Sequence, residues 1–335
     1  MKIAIWLSNK GGSPLQVGME RGLKELGHQV EYWRKGRGYD LVILFNQAAH
    51  DRDYTYPPFP RDRHIAFIDT AEYGYFKRLP SVRAKYWNTF TEASMGHDTK
   101  NRGEQLRLKA HLQGRSFPYF AREFFKDYTF PAGYHPIDYP LYAGSVCNIR
   151  PNREEYLKRD LDLFLSWGAS HPWRMNLTEE LRNAHTKCEI SVIGENGFER
   201  MPQQLYFQRM RAAKAGVSFD GYGSGSFRMT EILCRSLLLQ GPLSIRLPVE
   251  FQNGVHCLHY KIEYRETESA GQPWGEFLST DIIGVLRAAL TDPEKSYQMY
   301  AAGWDLLMSR YTERAMAAYV LDVVDKHDWK KETAI

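Results

Sequence analysis

The sequence predicts an α/β protein with two doubly wound parallel sheets and a helical C-terminus. Strand patterns alternate with helix patterns at the start of the chain, and the same alternation begins again after residue 151. A proline-rich stretch separates the two series. We therefore expect an N-terminal Rossmann-like domain over 1–150 and a C-terminal one over 151–335, facing each other across a cleft.

The first series begins with the apolar strand "KIAIWLS", the turn "NKGGSP" and the amphipathic helix "LQVGMERGLKELGH", which has Gly27 near its end. Three further strands are predicted at "QVEYW", "YDLVILF" and "HIAFIDTAEYGYF". The second of these has a continuous apolar run, which is typical of buried parallel strands. The glycine pair at 11–12 lacks the third spaced glycine of a dinucleotide-binding loop, so we interpret it as a tight turn.

The second series follows "TFPAGYHPIDYPL", which we interpret as an extended linker. Strands are predicted at "LDLFLSWG", "CEISVIG", "VSFDGYG" and "PLSIRL". Helices are predicted at "ASHPWRMNLTEELRNAH", "PQQLYFQRMRAAKAG" and "FRMTEILCRSLLLQG". The tail from Asp281 to His327 has a helical pattern almost throughout, and we place it in the second domain.

The composition is that of a soluble globular protein, with 43% hydrophobic residues. No stretch approaches the roughly 18 apolar residues that a membrane span needs. The apolar N-terminus is too short for a signal peptide. Four cysteines without a Cys-x-x-Cys spacing are expected to be reduced, which favours a cytoplasmic protein. The pattern leaves the oligomeric state open.

The formal net charge of +4 neither requires nor excludes a nucleic acid partner. The segment from Arg78 to Lys126, however, mixes many Arg and Lys residues with aromatic ones. Such a segment can bind phosphates and stack bases, or it can be a solvated loop-and-helix region. Both interpretations remain open at this point.

Arg228 and Glu231 lie at the start of a predicted helix, directly after the glycine- and serine-rich loop "DGYGSGS". A helix N-terminus favours an anion such as a diphosphate, and an arginine there adds a charge-assisted hydrogen bond. A carboxylate one turn further on can accept hydrogen bonds from the hydroxyls of a ribose. The alternative is a capped surface helix with an ion pair between residues i and i+3.

The stretch "YFQRMRAAKAGVSFDGYGSGSFRMTEILCRSLLLQGPL" resembles the donor-binding segment of GT-B glycosyltransferases, of the group 1-like kind. It is also similar to CgeB-like bacterial proteins and, more faintly, to phage DNA β-glucosyltransferases. The resemblance implies a nucleotide-sugar donor, foremost a UDP-sugar. It implies that Glu231 binds the ribose, and the same families have an arginine three residues earlier, where this chain has Arg228. It implies no cofactor and no metal.

The stretch "FLSWGASHPWRMNLTEELRN" resembles the loop of these enzymes that meets the donor phosphates, and "SVIGEN" the turn beside the nucleotide base. His171 precedes a proline, which places it on a loop and leaves a histidine without a ligand as the alternative. The predicted donor-binding residues are Gly168, Ser170, His171, Arg174, Gly194, Glu195, Ser226, Phe227, Arg228 and Glu231.

Asp69 is expected at the carboxyl end of a buried strand in the first domain. The layout resembles the strand of the phage enzymes that ends in a catalytic aspartate, so Asp69 is the candidate general base and Glu72 the reserve. The alternative is an aspartate that caps the next helix. Tyr75, Lys77 and Arg78, further along the same segment, are the predicted acceptor-binding residues.

Two features bear on mechanism. Retaining enzymes of the resembling class often have a second glutamate eight positions earlier, where this chain has Gly223, so an inverting reaction is favoured. Asp51 and Asp53 form an Asp-x-Asp pair that could hold a metal in another class of transferase, but we interpret them as a solvated loop. His64 and His97 show no ligand spacing.

The sequence thus predicts an inverting, metal-independent glycosyltransferase. Its acceptor is a glycan, a small molecule or a hydroxymethylated pyrimidine base of DNA, which an enzyme would have to flip out of the duplex. A non-catalytic nucleotide-sugar binding protein with the same fold is the alternative from another class. An epimerase would need several carboxylates and a histidine around the sugar, and the sequence offers no such set.

Overall fold

The computed structural model describes most of the chain in separate stretches. These are residues 1–7, 14–46, 64–69, 117–122, 126, 133–141, 149–168, 172–184, 186–193, 200–219, 227–243, 245–265 and 276–329. The chain divides into two units. Unit 1 consists of Met1–Tyr142, Ser244–Pro248 and Tyr311–Ile335, and unit 2 of Ala143–Leu243 and Val249–Arg310.

The strands and helices are numbered here in chain order. They are β1 (Lys2–Leu7), α1 (Pro14–Glu25), β2 (Gln29–Tyr32), β3 (Leu41–Asn46), β4 (His64–Asp69), β5 (Tyr119–Ala121), β6 (Tyr134–Pro136), α2 (Arg153–Leu157), β7 (Leu161–Gly168), α3 (Pro172–Arg182), β8 (Cys188–Ile193), α4 (Gln203–Ala212), β9 (Ala213–Ser218), α5 (Phe227–Leu233), β10 (Leu237–Gln240), β11 (Leu258–His259), β12 (Ile262–Arg265), β13 (Glu276–Thr280), α6 (Ile282–Thr291), α7 (Pro293–Arg310) and α8 (Glu313–Lys326).

Within the described residues, unit 1 has a parallel sheet of six strands in the order β2-β1-β3-β4-β5-β6. Strand β3 is buried from Leu41 to Phe45, as its uninterrupted apolar run predicts for a strand covered on both faces. Strand β4 lies inside the sheet, and its last residue, Asp69, is in register with Asn46 of β3 and Ala121 of β5.

Unit 2 has a parallel sheet of five strands in the order β11-β10-β9-β7-β8, again counted over the described residues. A separate antiparallel pair joins β12 and β13. Side chains of α3, α6 and α7 pack with those of the sheet in one buried apolar cluster. In both units the first strand lies between the second and the third, so the strand order reverses beside it. The predicted α/β fold class with two Rossmann-like sheets is confirmed.

Strand β10 is a correction to the sequence prediction, which continued the helix of "FRMTEILCRSLLLQG" to its end. Helix α5 stops at Leu233, and Leu237–Gln240 forms a strand of which all four residues are buried. A short apolar run of this kind fits a buried helix and a buried strand equally well by periodicity. Here the run pairs in parallel with β9 and β11, which places it inside the sheet.

The C-terminal helix α8 belongs to unit 1, whereas the pattern placed the whole tail in domain 151–335. It packs against α1, where Gly18 and Gly22 lie four residues apart and face it. A Cβ atom on Gly22 would lie only 2.0 Å from the main-chain oxygen of Glu313, so glycine is what allows this close approach. Helix α1 itself ends before Gly27, as predicted, and Gly27 has a φ of 83°.

The proline-rich segment before residue 142 contributes to unit 1, although its composition suggested a linker. Tyr134–Pro136 forms the edge strand β6, and Ile137 and Asp138, which follow it, are buried. A proline at the end of an edge strand is tolerated because no further strand needs its missing N–H group. Among the helices of the described part of the chain, none is both long and apolar enough to cross a membrane.

Candidate functional site

A crevice opens in the sheet of unit 2 where β7 and β9 separate. The described pairing of these strands ends at Phe164 and Gly216, although β7 continues to Gly168 and β9 to Ser218. This is the point at which the strand order reverses. In open α/β sheets, ligands bind at such a point, outside the carboxyl ends of the strands.

Arg174 bridges the two diverging strands. It lies in the first turn of α3 and donates from Nη1 to the main-chain oxygen of Gly168 at 3.4 Å and from Nη2 to that of Phe219 at 3.3 Å. Its guanidinium also lies over the ring of Trp167, 5.5 Å from the centroid. The predicted donor-site arginine is therefore placed at the crevice, where it joins the ends of β7 and β9.

Arg228 enters the same crevice from the first turn of α5. Its Nη1 donates to the main-chain oxygen of Ser166 on β7 and, at 2.6 Å, to the hydroxyl of Tyr206 on α4. The guanidinium also lies 5.2 Å from the centre of the Tyr206 ring. The Arg228 cation is thus held at the carboxyl end of the sheet by groups from two elements, β7 and α4.

Tyr206 connects Arg228 to Glu231. Its hydroxyl accepts a hydrogen bond from Arg228 and donates one to Oε2 of Glu231 at 3.1 Å. Burial raises the pKa of Tyr206 above its usual range, so the hydroxyl keeps the proton that it donates. Its ring lies against Phe164 of β7, with centroids 5.6 Å apart, which fixes where the hydroxyl points.

The arrangement differs from the ion pair that was the alternative for this helix. Arg228 and Glu231 form no direct salt bridge, a statement that covers the part of the chain the structure describes. Within the same residues Oε1 of Glu231 has no hydrogen-bond partner. The triad of Arg228, Tyr206 and Glu231 therefore offers a fixed cation and a carboxylate oxygen that can still accept.

The far end of α5 is anchored as well. Arg235 donates from Nη1 to the main-chain oxygen of Glu231 at 3.0 Å, and its guanidinium lies 3.7 Å from the centre of the Phe207 ring. Since Phe207 and Tyr206 are neighbours on α4, one helix holds α5 at both ends. The short helix, seven residues long, also packs against β9, β10 and α7.

In unit 1 the carboxyl edge of the sheet brings three charged residues to neighbouring strand ends. Asp69 ends β4, Arg122 follows β5 and Asp138 follows β6 after one residue. Only the backbone of Asp69 is described. Arg122 and Asp138 are buried, and the Arg122 guanidinium lies 4.8 Å from the centre of the Tyr139 ring. The predicted position of Asp69 at the end of a buried strand is confirmed.

The fold of this chain is similar to that of solved structures. The chain superposes on the HepE protein (Alr3699) of Anabaena in complex with UDP-glucose with a TM-score of 0.50 and 10% identity, covering 98% of this chain and 100% of that chain. The chain has a GT-B fold.

The same Anabaena protein in complex with UDP gives a TM-score of 0.46 at 10% identity, with 98% of this chain and 100% of that one covered. The trehalose-6-phosphate synthase OtsA gives 0.45 at 10% identity, with 98% and 100% covered. Neither the models of protein families nor the curated proteins give a match. The GT-B assignment therefore rests on structure.

Several predicted site residues lie outside the described residues of the GT-B chain. They are Glu72, Tyr75, Lys77, Arg78, Ser170, His171, Gly194, Glu195 and Ser226, together with Asp51, Asp53, His97 and Gly223. Most of the segment from Arg78 to Lys126 is among them. Of the predicted donor set, the structure brings Gly168, Arg174, Arg228 and Glu231 to one crevice, and Phe227 opens α5 beside them. No three His, Cys, Asp or Glu side chains within the described ranges lie close enough to hold a metal ion.

The sequence did not single out Tyr206, Ser166 or Asp138. Tyr206 lies on an ordinary surface-like helix, 22 positions before Arg228, and no periodicity relates the two. Ser166 acts through its main-chain oxygen, which every residue has. A signal existed only for Asp138, which is an acidic residue in an otherwise apolar and proline-rich run.

Burial raises the pKa of the Asp138 carboxyl to about 7, against the opposing effects of the Tyr139 N–H and the Arg122 charge. The folded state therefore holds a proton that the unfolded chain releases at about 3.9. The stability of the protein should fall as pH rises between these two values and level off above about 7.

The Asp138→Asn variant removes this titration and keeps an oxygen for the Tyr139 N–H. Its thermal stability relative to the wild type should rise with pH by at most about 1.4 kcal/mol per pH unit, and should stop rising above neutrality. Thermal melts at several pH values measure the difference. A difference that does not change with pH would show that Asp138 is ionised throughout.

Proposed function

We propose that this protein is a glycosyltransferase that moves a sugar from a nucleotide-diphosphate sugar to an acceptor hydroxyl. The observation that carries the proposal is the triad of Arg228, Tyr206 and Glu231 at the switch point of the unit 2 sheet. The GT-B fold supports it, and the Anabaena protein with that fold contains UDP-glucose in its structure. A UDP-sugar is therefore the proposed donor, and no cofactor is proposed.

The triad suits the two polar parts of such a donor. The guanidinium of Arg228 is already fixed by Ser166 and Tyr206, so it can meet a diphosphate without losing further side-chain freedom. Glu231 keeps one carboxylate oxygen for a ribose hydroxyl, because Tyr206 occupies only the other. In this proposal Tyr206 is a positioning residue that holds the cation and the carboxylate at a set separation.

The chemical step that we propose is a direct displacement. A base in unit 1, Asp69, removes the proton of the acceptor hydroxyl as its oxygen attacks the anomeric carbon and the bond to the diphosphate breaks. Arg228 compensates the charge that develops on the leaving diphosphate, and the reaction needs no metal. One displacement inverts the anomeric configuration.

A non-catalytic nucleotide-sugar binding protein would use the same triad, since the triad accounts for donor binding alone. The two candidates differ in turnover. Release of UDP from a UDP-sugar in the presence of an acceptor distinguishes them, because a binding protein leaves the sugar–phosphate bond intact.

Replacing Glu231 with alanine should weaken binding of the UDP-sugar by about 1–3 kcal/mol, the cost of losing a hydrogen bond to a charged group. Tyr206→Phe should weaken it less, because both charged groups remain and only their alignment is lost. Calorimetric titration of UDP and UDP-glucose measures both effects. Glu179→Ala, an exposed glutamate of α3, is the matched control.

The proposal fails if folded Glu231→Ala protein binds UDP and UDP-glucose as tightly as the wild type. A loss that is equal in the Glu179→Ala control would show that the effect is not specific to the triad. Circular dichroism of each variant separates loss of binding from loss of folding.

A further inference from the structure

A second polar cavity lies in unit 2, away from the triad. It has a volume of about 50 Å³ and is lined by residues of the loop before α2, of α2 and the turn after it, of α4, of the turn after α5 and of α7. Four of its lining residues are arginines, namely Arg150, Arg159, Arg211 and Arg235. One lining residue, Glu155, is acidic.

Two of these arginines are buried. Arg159 is 9% exposed and Arg235 is 7% exposed. Arg159 donates from Nη1 to the main-chain oxygens of Ala213 and Arg235, at 2.8 and 2.7 Å. Its guanidinium also lies near the rings of Tyr156 and Tyr300, whose centres are 4.8 and 5.4 Å away. Arg235 is held in the same way, by the main-chain oxygen of Glu231 and the ring of Phe207.

The two carboxylates near the cavity are each already paired with an arginine. Arg211 binds Glu155 through both carboxylate oxygens, at 2.7 and 2.9 Å, and this hydrogen-bonded pairing is the main reason why the pKa of Glu155 is lowered. At the rim, Arg150 forms an exposed ion pair with Asp305 at 3.3 Å. Four guanidinium groups therefore face two carboxylates, an excess of two positive charges.

Neither buried arginine forms a hydrogen bond or a salt bridge with a carboxylate among the described residues, and Nε of Arg159 has no hydrogen-bond partner there either. A buried charge without a counter-ion is costly. A protein that keeps two such charges beside an open cavity lowers that cost when an anion occupies the cavity. The excess of two positive charges matches the charge of a phosphoryl group near neutral pH.

We propose that this cavity binds a small phosphorylated anion, either free phosphate or a phosphate monoester. Arg159 and Arg235 supply the buried charge and Arg150 the charge at the entrance, while Arg211 stays with Glu155. The site is separate from the triad, but Arg235 also holds the main-chain oxygen of Glu231. The proposal does not depend on sugar transfer.

The test is a calorimetric titration of the full chain with inorganic phosphate, against sodium chloride at equal ionic strength. We expect saturable binding of one phosphate. Arg150→Ala should weaken it about threefold, as expected for one exposed charge, and Arg159→Met should weaken it at least about tenfold. Glycerol 3-phosphate is the second probe. If it binds more tightly than phosphate, the ligand is a monoester, and if it binds equally or less tightly, the ligand is free phosphate.

Two control variants make the result specific. Arg153→Ala removes an arginine of α2 that pairs with Glu294 and does not line the cavity, so it should leave phosphate affinity unchanged. Arg228→Ala should also leave phosphate affinity unchanged, because Arg228 does not line this cavity. Phosphate bound at the triad would instead be lost in that variant. If Arg159→Met does not fold, the contrast between Arg150→Ala and Arg153→Ala decides.

Three results would overturn the proposal. They are the absence of saturable phosphate binding beyond that of chloride, equal effects of Arg150→Ala and Arg153→Ala, and binding that depends on Arg228 instead of Arg150. A failed donor-binding test at Glu231 leaves this experiment unaffected, so the two proposals fail separately.

Discussion

Asp69→Asn is expected to lower the rate of sugar transfer by about 10²–10⁴-fold, the usual contribution of a general base. Asp69 ends a central parallel strand, at the edge of the sheet where α/β proteins place their chemistry. It belongs to unit 1, whereas the triad belongs to unit 2, so donor affinity should remain at the wild-type value. Rates of UDP release and UDP titrations measure the two quantities.

The matched control is Asp40→Asn. Asp40 precedes β3, at the amino edge of the same sheet, and accepts a hydrogen bond from the main-chain nitrogen of Lys2 at 2.7 Å, which an asparagine can also accept. This variant should keep its transfer rate. Wild-type rates in Asp69→Asn would exclude Asp69 as the base and direct attention to Glu72.

The anomeric configuration of the product tests the displacement separately. A single displacement by an acceptor activated at Asp69 inverts the configuration of the donor sugar. Proton NMR of the product formed from a donor of known configuration shows which outcome occurs. A retained configuration would rule out the direct displacement, even if Asp69→Asn is inactive.

Gly22→Ala is expected to destabilise unit 1 by at least about 1–3 kcal/mol, the usual cost of overpacking. The new Cβ would lie 2.0 Å from the main-chain oxygen of Glu313 and 2.9 Å from Cβ of Ala317. A main-chain oxygen cannot turn aside as a flexible side chain can, so α8 would have to move away from α1. Thermal denaturation should show a melting temperature lower by several degrees.

Gly284→Ala is the matched control, because it makes the same change in another helix. Gly284 lies in α6, and a Cβ there would meet no atom within 4 Å. Alanine should stabilise this helix by about 0.5–1 kcal/mol, the difference in helix propensity. Equal effects of the two variants would mean that the close approach of α8 to α1 is not what Gly22 provides.

The two parallel sheets could be predicted because their strands are apolar runs separated by helix patterns at regular spacing. The helix start at Phe227 and the neighbourhood of Arg228 and Glu231 could be predicted for a similar reason, since a glycine-rich loop precedes them. Periodicity failed at Leu237–Gln240, where four buried residues give no alternation to read.

Contacts between distant segments could not be predicted. The hydroxyl of Tyr206 lies between Arg228 and Glu231 only because α4 and α5 pack beside the same strand β9. The return of α8 to α1 depends on the shape of two facing helix surfaces, and the tail alone shows only that it is helical. A single sequence shows which side chains are present but not which of them contact one another in the fold.

The assignment of Tyr311–Ile335 to unit 1 has a consequence for synthesis on the ribosome. Every residue of unit 2 is translated before α8, so the second unit is complete while the first still lacks the helix that covers α1. The usual order, in which the N-terminal domain folds first, is therefore reversed for the final step. Until α8 emerges, the nascent chain carries an uncovered face of α1 that chaperones can recognise.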